Sequence, residues 1–195
     1  MAMKKLEPTD LYTLEAYARE RAAFRARVLA HKQPRVIHLG SHLTFVFEDR
    51  LTIQYQVQEI LRVERIFEPA GIADELEAYN PLIPDGGNLK ATMLIEYPDA
   101  EERARKLVEL HGIESRVVLQ IDETAPVAAI ADEDLPRSTD TKTSAVHFLR
   151  FELTHEQIAA WQRGADVALS VDHPAYGARQ SLTAAARSAL AADFA

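Results

Sequence analysis

Residues 43–67 read LTFVFEDRLTIQYQVQEILRVERIF, and the way this run folds decides what the chain can be. Leu43, Phe45 and Phe47 alternate with Thr44, Val46 and Glu48 as in a strand. Residues 51–58 (LTIQYQVQ) alternate too, which taken alone reads as a half-buried strand with Asp49-Arg50 as its hairpin turn. No glycine is present to supply the positive φ that a two-residue hairpin favours. Past Gln58 the period changes. Ile53, Val57, Ile60, Leu61 and Phe67 fall on one helical face, while Gln54, Gln58, Arg62 and Arg65 follow the opposite ridge. Gln, Glu, Leu and Arg are good helix formers, and the short Asp49 carboxylate is a sound N-cap. The run therefore predicts a strand over residues 43–48 and a helix over residues 50–68.

Around this centre, 195 residues with 47% hydrophobic content make one domain with a real core. There are no cysteines, which excludes disulfides, thiolate metal sites and a cysteine nucleophile, and fits a reducing cytoplasm. The start, Met1-Ala-Met-Lys-Lys-Leu, has no apolar stretch behind its lysines, so no signal peptide is expected, and no run is long enough for a membrane span. A net charge of −8 disfavours non-specific binding to nucleic acid.

The first helix is expected from Thr9 or Asp10 to about His31, with Leu11, Leu14, Ala18, Ala22 and Val28 or Leu29 inward. Its outer face carries Arg19, Arg21, Arg25, Arg27 and Lys32, followed by Arg35: a solvated face paired with acids elsewhere, or a stripe for an anionic partner. Residues 35–39 read as a strand turning at Gly40-Ser41-His42 into the central run. Pro69-Ala-Gly71 breaks the chain before a short helix over residues 72–79. The loop NPLIPDGGN, residues 80–88, reads either as a linker or as an ordered loop presenting Asn80, Asp85 and Asn88.

The second half alternates regularly. Strands are expected over residues 89–97, 116–121, 127–131, 144–153 and 166–172, with 116–121 and 127–131 paired as a hairpin. Helices are expected over 99–111 and from the Thr154/Gln157 capping box to Arg163, and a closing Ala-rich helix from a cap at Ser181. Residues 132–143 read as a surface loop. The order predicts an α+β fold: a mainly antiparallel or mixed sheet with helices on one face, plus an N-terminal helical part (9–80 mostly helical with one short strand pair, 88–195 the sheet part).

The densest polar concentration is Glu48, Arg50, Gln54, Gln58, Glu59 and Arg62. An arginine flanked by amides can clamp an anionic small molecule; the plainer role is a polar helix face satisfied by neighbouring loops. His147 alternates with Leu149 and Phe151, which makes it a core histidine or, less simply, an acid–base group. Arg150 and Glu152 share the other face and can pair or hold a ligand carboxylate. Asp172-His173 leaves the last strand, where an Asp can orient a His. Glu152-Leu-Thr-His155 spells half of a di-iron motif, but Thr154 caps a helix between the two, so a ferritin-like centre is excluded. Neither a Gly-x-Gly-x-x-Gly run nor a phosphate loop is present.

FEDR (47–50), QYQVQE (54–59), YNPLIPDG (79–86), HFLRFEL (147–153) and DHPAY (172–176) together resemble an uncharacterised bacterial domain-of-unknown-function family along its whole length. The resemblance implies a context in which such genes lie beside rubrerythrin and a heterodisulfide-reductase-type iron–sulfur protein; it implies no catalytic residues. The expectation is a cytoplasmic accessory or partner protein of a rubrerythrin-type peroxide and iron system, with no metal, cofactor or redox centre of its own, and compatible with a homo-oligomer. The alternative is an enzyme or binder of a small anionic ligand. It would use the central Glu/Arg/Gln cluster, with His147, Arg150, Asp172 and His173 as further candidates.

Overall fold

A computed structural model describes residues 4–133 and 137–195. The central run folds as its periods require. Strand β2 (Leu43–Glu48) ends at Asp49, whose side chain accepts the Thr52 N–H at 2.9 Å while the Thr52 hydroxyl meets the Asp49 N–H, a closed capping box for helix α2 (Arg50–Glu64). The helix stops short of residue 68. Arg65 enters the left-handed region at φ 56°, and the chain turns before Phe67, which is 67% exposed rather than on the buried face.

Ahead of this corner lie helix α1 (Leu14–Lys32) and strand β1 (Val36–Leu39). The cap of α1 is Thr13, and Pro8–Asp10 form a separate 3-10 turn, so the helix begins later than residue 9 or 10. Its buried residues are Tyr17, Phe24 and Val28, which pack with Leu51 and Tyr55 of α2. Beyond α2, helix α3 (Pro69–Tyr79) starts at the proline instead of being broken by it, because the first helical position needs no N–H.

The remaining elements are β3 (Asn88–Ile95), α4 (Ala100–Glu109), β4 (Val117–Ile121), β5 (Val127–Ala128), β6 (Ile130–Ala131), β7 (Val146–Glu152), α5 (His155–Gln162), β8 (Val167–His173), β9 (Tyr176–Ser181) and α6 (Ala184–Ala191). The fold is α+β, and all strand pairs are antiparallel. The strands form two sheets, ordered β1-β2-β3-β7-β6 and β5-β4-β8-β9.

Three expectations change here. Residues 127–131 do not form one hairpin arm: β5 pairs with β4, and after Ala129 the chain crosses so that β6 pairs with β7 in the other sheet. Strand β9 was not anticipated, since an edge strand with mostly exposed side chains carries little apolar alternation. Its presence moves the cap of α6 from Ser181 to Thr183.

Phe45, Phe47, Leu89, Met93, Leu149 and Phe151 of the first sheet share one core with Val117, Leu119, Ile121, Val167, Leu169 and Val171 of the second. The other face of the first sheet meets the helical part. That contact follows from connectivity: β2 and β3 are neighbours, and α2 and α3 are an excursion between them. The loop at residues 80–88 leads from α3 into β3, the strand that pairs with β2. Arg35, placed by the sequence on a basic stripe, is instead 1% exposed. It donates to the Phe47 and Ala189 carbonyls at 3.0 and 2.9 Å and pairs with Asp193, tying the end of the chain to the β2–α2 corner. Among the described residues, no helix is long and apolar enough to cross a membrane.

Candidate functional site

The polar ridge of α2 faces the N-terminal segment. Arg50 donates from Nε to the Lys4 carbonyl at 3.0 Å and pairs through Nη2 with Asp10 at 2.7 Å. Gln54 donates to the Asp10 carbonyl at 2.6 Å. Gln58, fully buried, accepts the Tyr12 N–H at 2.6 Å and donates back to the Tyr12 carbonyl at 3.3 Å. Asn80 does the same to Leu6, at 2.8 and 3.0 Å. Arg50, Gln54 and Gln58, four residues apart on α2, hold backbone groups of Lys4, Asp10 and Tyr12 in turn, so an N-terminal strap occupies the ridge.

Glu59 is a second clamp. It receives both Nε and a terminal nitrogen of Arg21 at 2.8 Å and the Tyr17 hydroxyl at 2.6 Å, with Arg62 at 3.6 Å. The Arg21 fork is the main reason its carboxyl is held down to about 2, aided by the Tyr17 hydroxyl and the nearby Arg62 and opposed by burial. Glu59 thereby fastens α1 to α2.

Glu48 behaves differently. It closes β2, 5% exposed, on the sheet face that looks toward the helices. Its Oε1 accepts the Thr92 hydroxyl at 2.8 Å, and its Oε2 is buried without a hydrogen-bond partner among the described residues. Such an oxygen normally finds one, because its desolvation is otherwise uncompensated. Glu48 lines a cleft of about 320 Å³ between the sheet and the helical part. Val46, Thr92, Leu94, Val146 and Phe148 make its floor, Ile53 and Gln56 of α2 one wall, Tyr79 and Leu82 another, and Lys32 joins from the end of α1. The Tyr79 phenol hydrogen-bonds Gln56, and its pKa is pushed up mainly by burial. An apolar cleft with a few converging polar groups is the usual form of a small-molecule site.

Strand register extends the polar floor. Glu48 lies opposite Lys90, and Lys90 opposite Arg150. Arg150 grips Glu133 with two nitrogens at 2.7 and 2.8 Å and also pairs with Glu152. Lys90 is half-buried, and its ammonium has no ion pair or hydrogen bond among the described residues. Burial, then the neighbouring Arg150, lower its pKa. Lys90 and Arg150 line a small recess of about 60 Å³ that shares Leu82 and Phe148 with the cleft.

A family model for proteins of unknown function, DUF3501, matches residues 5–194. The chain belongs to the DUF3501 family. It is also similar to a solved structure, described as a novel protein of unknown function from Burkholderia pseudomallei K96243, at 49% identity and a TM-score of 0.94. The match covers 98% of this chain and 100% of that one. No curated protein matches.

In this DUF3501 chain the other sequence candidates lie apart from the cleft. His147 is fully buried on the opposite face of the sheet, within a polar network. Its Nδ1 meets Asp132 at 2.6 Å, and its Nε2 meets the Thr143 hydroxyl at 2.7 Å; that hydroxyl reaches Glu114 at 3.0 Å. Both ring nitrogens are thus partnered. Asp132 holds a left-handed φ of 50° and also receives the Phe148 N–H at 3.0 Å.

Asp172 is exposed, and His173 turns its ring nitrogens to backbone groups: the His111 carbonyl at 3.1 Å and the Ala175 N–H at 3.2 Å. Among the described residues, no group of three or more His, Asp or Glu is placed to hold a metal ion. The 80–88 loop is ordered, with Asn80 on the strap and Asn88 buried, accepting from the Asp85 N–H at 3.2 Å.

Of the named candidates, only Glu48 lines the cleft, and Arg150 lines the adjoining recess. Thr92 and Lys90 went unnoticed, although both alternate with Leu89, Ala91 and Met93 and so had to share a face. Gln56 was hidden by the more regular Gln54–Gln58 ridge.

Proposed function

We propose that this protein binds a small organic molecule in the cleft between α2 and the first sheet, with Glu48 as the principal polar contact. The observation that carries this is the Glu48 Oε2, buried and without a hydrogen-bond partner among the described residues, on a side chain that lines a cleft of mainly apolar residues. A carboxylate in that state takes a hydrogen-bond donor readily, and a ligand that supplies one offsets its desolvation. Reaching the oxygen takes a rotation of a cleft side chain, a motion fast on the scale of binding. The sequence-based alternative, a ligand held by the Glu/Arg/Gln cluster of the central helix, is thereby moved to the other side of that helix and keeps Glu48.

The gene context that the resemblance implies, beside rubrerythrin and an iron–sulfur oxidoreductase, suggests a setting for this binding: a cytoplasmic accessory protein of a peroxide- and iron-linked redox system. The absence of cysteine agrees with a supporting role beside thiolate-bound clusters on a partner.

Native mass spectrometry of protein purified gently from cells tests both parts. The expected result is an added small-molecule mass on wild type that is lost in Q56W, which fills the cleft from an exposed helix position. Bare wild-type protein overturns the binding role. Failure to co-purify with a rubrerythrin-type or iron–sulfur partner overturns the setting alone.

A further inference from the structure

Glu48 and Lys90 are register partners on neighbouring strands, carry opposite charges on one sheet face, and form no ion pair. Cross-strand pairs of opposite charge ordinarily close on each other. Here each lines a different lobe of one depression. Glu48 belongs to the larger cleft and Lys90 to the recess, and the lobes meet at Leu82 and Phe148. Arg150, the other cation in the row, is already engaged by Glu133 and Glu152. Glu48 and Lys90, about one strand spacing apart and not paired with each other, match the two ends of a zwitterion, and the Glu133 carboxylate that lines the same recess as Lys90 is held by Arg150.

We propose that the cleft takes an α-amino acid or a short derivative of one, its ammonium on Glu48 and its carboxylate on Lys90. The inference rests on the binding reading above and narrows it to a ligand class. Thr92 holds one Glu48 oxygen in place so that the other is presented to the ammonium. Val46, Leu94 and Val146 line the space for an apolar side chain. Lys32 also lines the larger lobe, from α1 and not from the Glu48–Lys90 row, and is the competing cation for the carboxylate.

The test is a thermal-shift titration of the full chain with matched triples, each an amino acid, the amine lacking its carboxylate and the acid lacking its amine. Leucine, isopentylamine and 4-methylpentanoate form one triple. At least one amino acid should raise the melting temperature, with its two counterparts binding roughly tenfold to a hundredfold more weakly, as loss of one charge-assisted contact implies. In E48Q the amino acid should bind no better than the bare acid, and in K90M no better than the amine. The loss of carboxylate preference should be larger in K90M than in K32M, and Q56W should abolish all shifts without touching either charge.

An amine that binds as well as its amino acid overturns the zwitterion while leaving a cation-binding cleft. Loss of the carboxylate preference in K32M but not in K90M overturns the orientation. No shift with any amino acid overturns the inference outright, whereas the broader function falls only if natively purified protein carries no bound mass.

Discussion

Gln58 holds Tyr12 by both of its backbone groups, accepting the N–H at 2.6 Å and donating to the carbonyl at 3.3 Å. A side-chain amide thus stands where a β-strand partner would, and Asn80 repeats the device on Leu6. The strap between these grips seals a second core of Leu6, Ile53, Val57, Leu61, Leu76 and Ile83. Replacing Gln58 with Leu keeps the helix and most of the volume but leaves Tyr12 unpaired, which should cost about 1–3 kcal/mol. Urea denaturation should show a lower midpoint, and hydrogen exchange should show faster amides at Leu6 and Tyr12. An unchanged midpoint would mean that the strap contributes nothing to stability.

Glu59 sets an acid limit. Its carboxyl is lowered from 4.5 to about 2 in the fold, the Arg21 fork being the main cause. A group with a depressed folded pKa stabilises fully above its unfolded value, and the contribution is lost as pH falls through the folded one. The melting-temperature gap between wild type and E59Q should therefore be largest above about pH 5 and shrink between pH 4.5 and about 2. A gap that stays constant across this window contradicts the assignment.

His147 is sandwiched between Asp132 on one ring nitrogen and the Thr143–Glu114 pair on the other. H147L removes the ring from a buried site and takes away the hydrogen-bond partner of Asp132 and of the Thr143 hydroxyl, at a cost of about 1–3 kcal/mol, the scale for stranding a buried polar group. H147Q, which can keep one hydrogen bond, should lose clearly less. Equal losses in the two variants would show that volume, not polarity, sets the role of this position.

Gly40 turns β1 into β2 at φ +68°, and a Cβ there would sit 2.3 Å from the Tyr176 hydroxyl. That hydroxyl donates to the Leu39 carbonyl at 2.7 Å and accepts the His42 N–H at 3.1 Å, joining the two sheets at the turn. G40A should destabilise by about 1–3 kcal/mol through left-handed strain and displacement of the phenol. In G40A/Y176F the two losses should be less than additive, because the alanine has already disrupted the contact that Y176F removes.

Glu48 should be a site where stability is sacrificed. Replacing it and its partner together, as E48M/T92V, removes a buried oxygen without a partner and leaves no new orphan. The midpoint of denaturation should rise by roughly 1 kcal/mol, while any natively bound mass disappears. A fall in stability would show that the carboxylate is already satisfied in the free protein.

Features written in short-range chemistry were legible in the residues alone. Asp49 before a run of good helix formers placed the start of α2, Thr154 with Gln157 placed α5, and period-two alternation put His147, Leu149 and Phe151 on one face of β7. Where a residue's role depends on what lies opposite, the sequence offered only a category. Arg50, Gln54 and Gln58 looked like a ligand ridge because their spacing is right for one. The strap of residues 4–12 that occupies it is more than forty positions away, and nothing local announces it.

By itself, then, the chain's sequence determined an α+β architecture, the helix-capping corners and the exclusion of any thiolate chemistry, since these rest on local periodicity, capping groups and composition. The split of residues 127–131 between two sheets, the burial of Arg35 and the unpaired Glu48 and Lys90 were decided only by tertiary structure. Each depends on which distant surfaces compete for the same groups, and a buried charge without a partner exists only once the surrounding chain has closed over it.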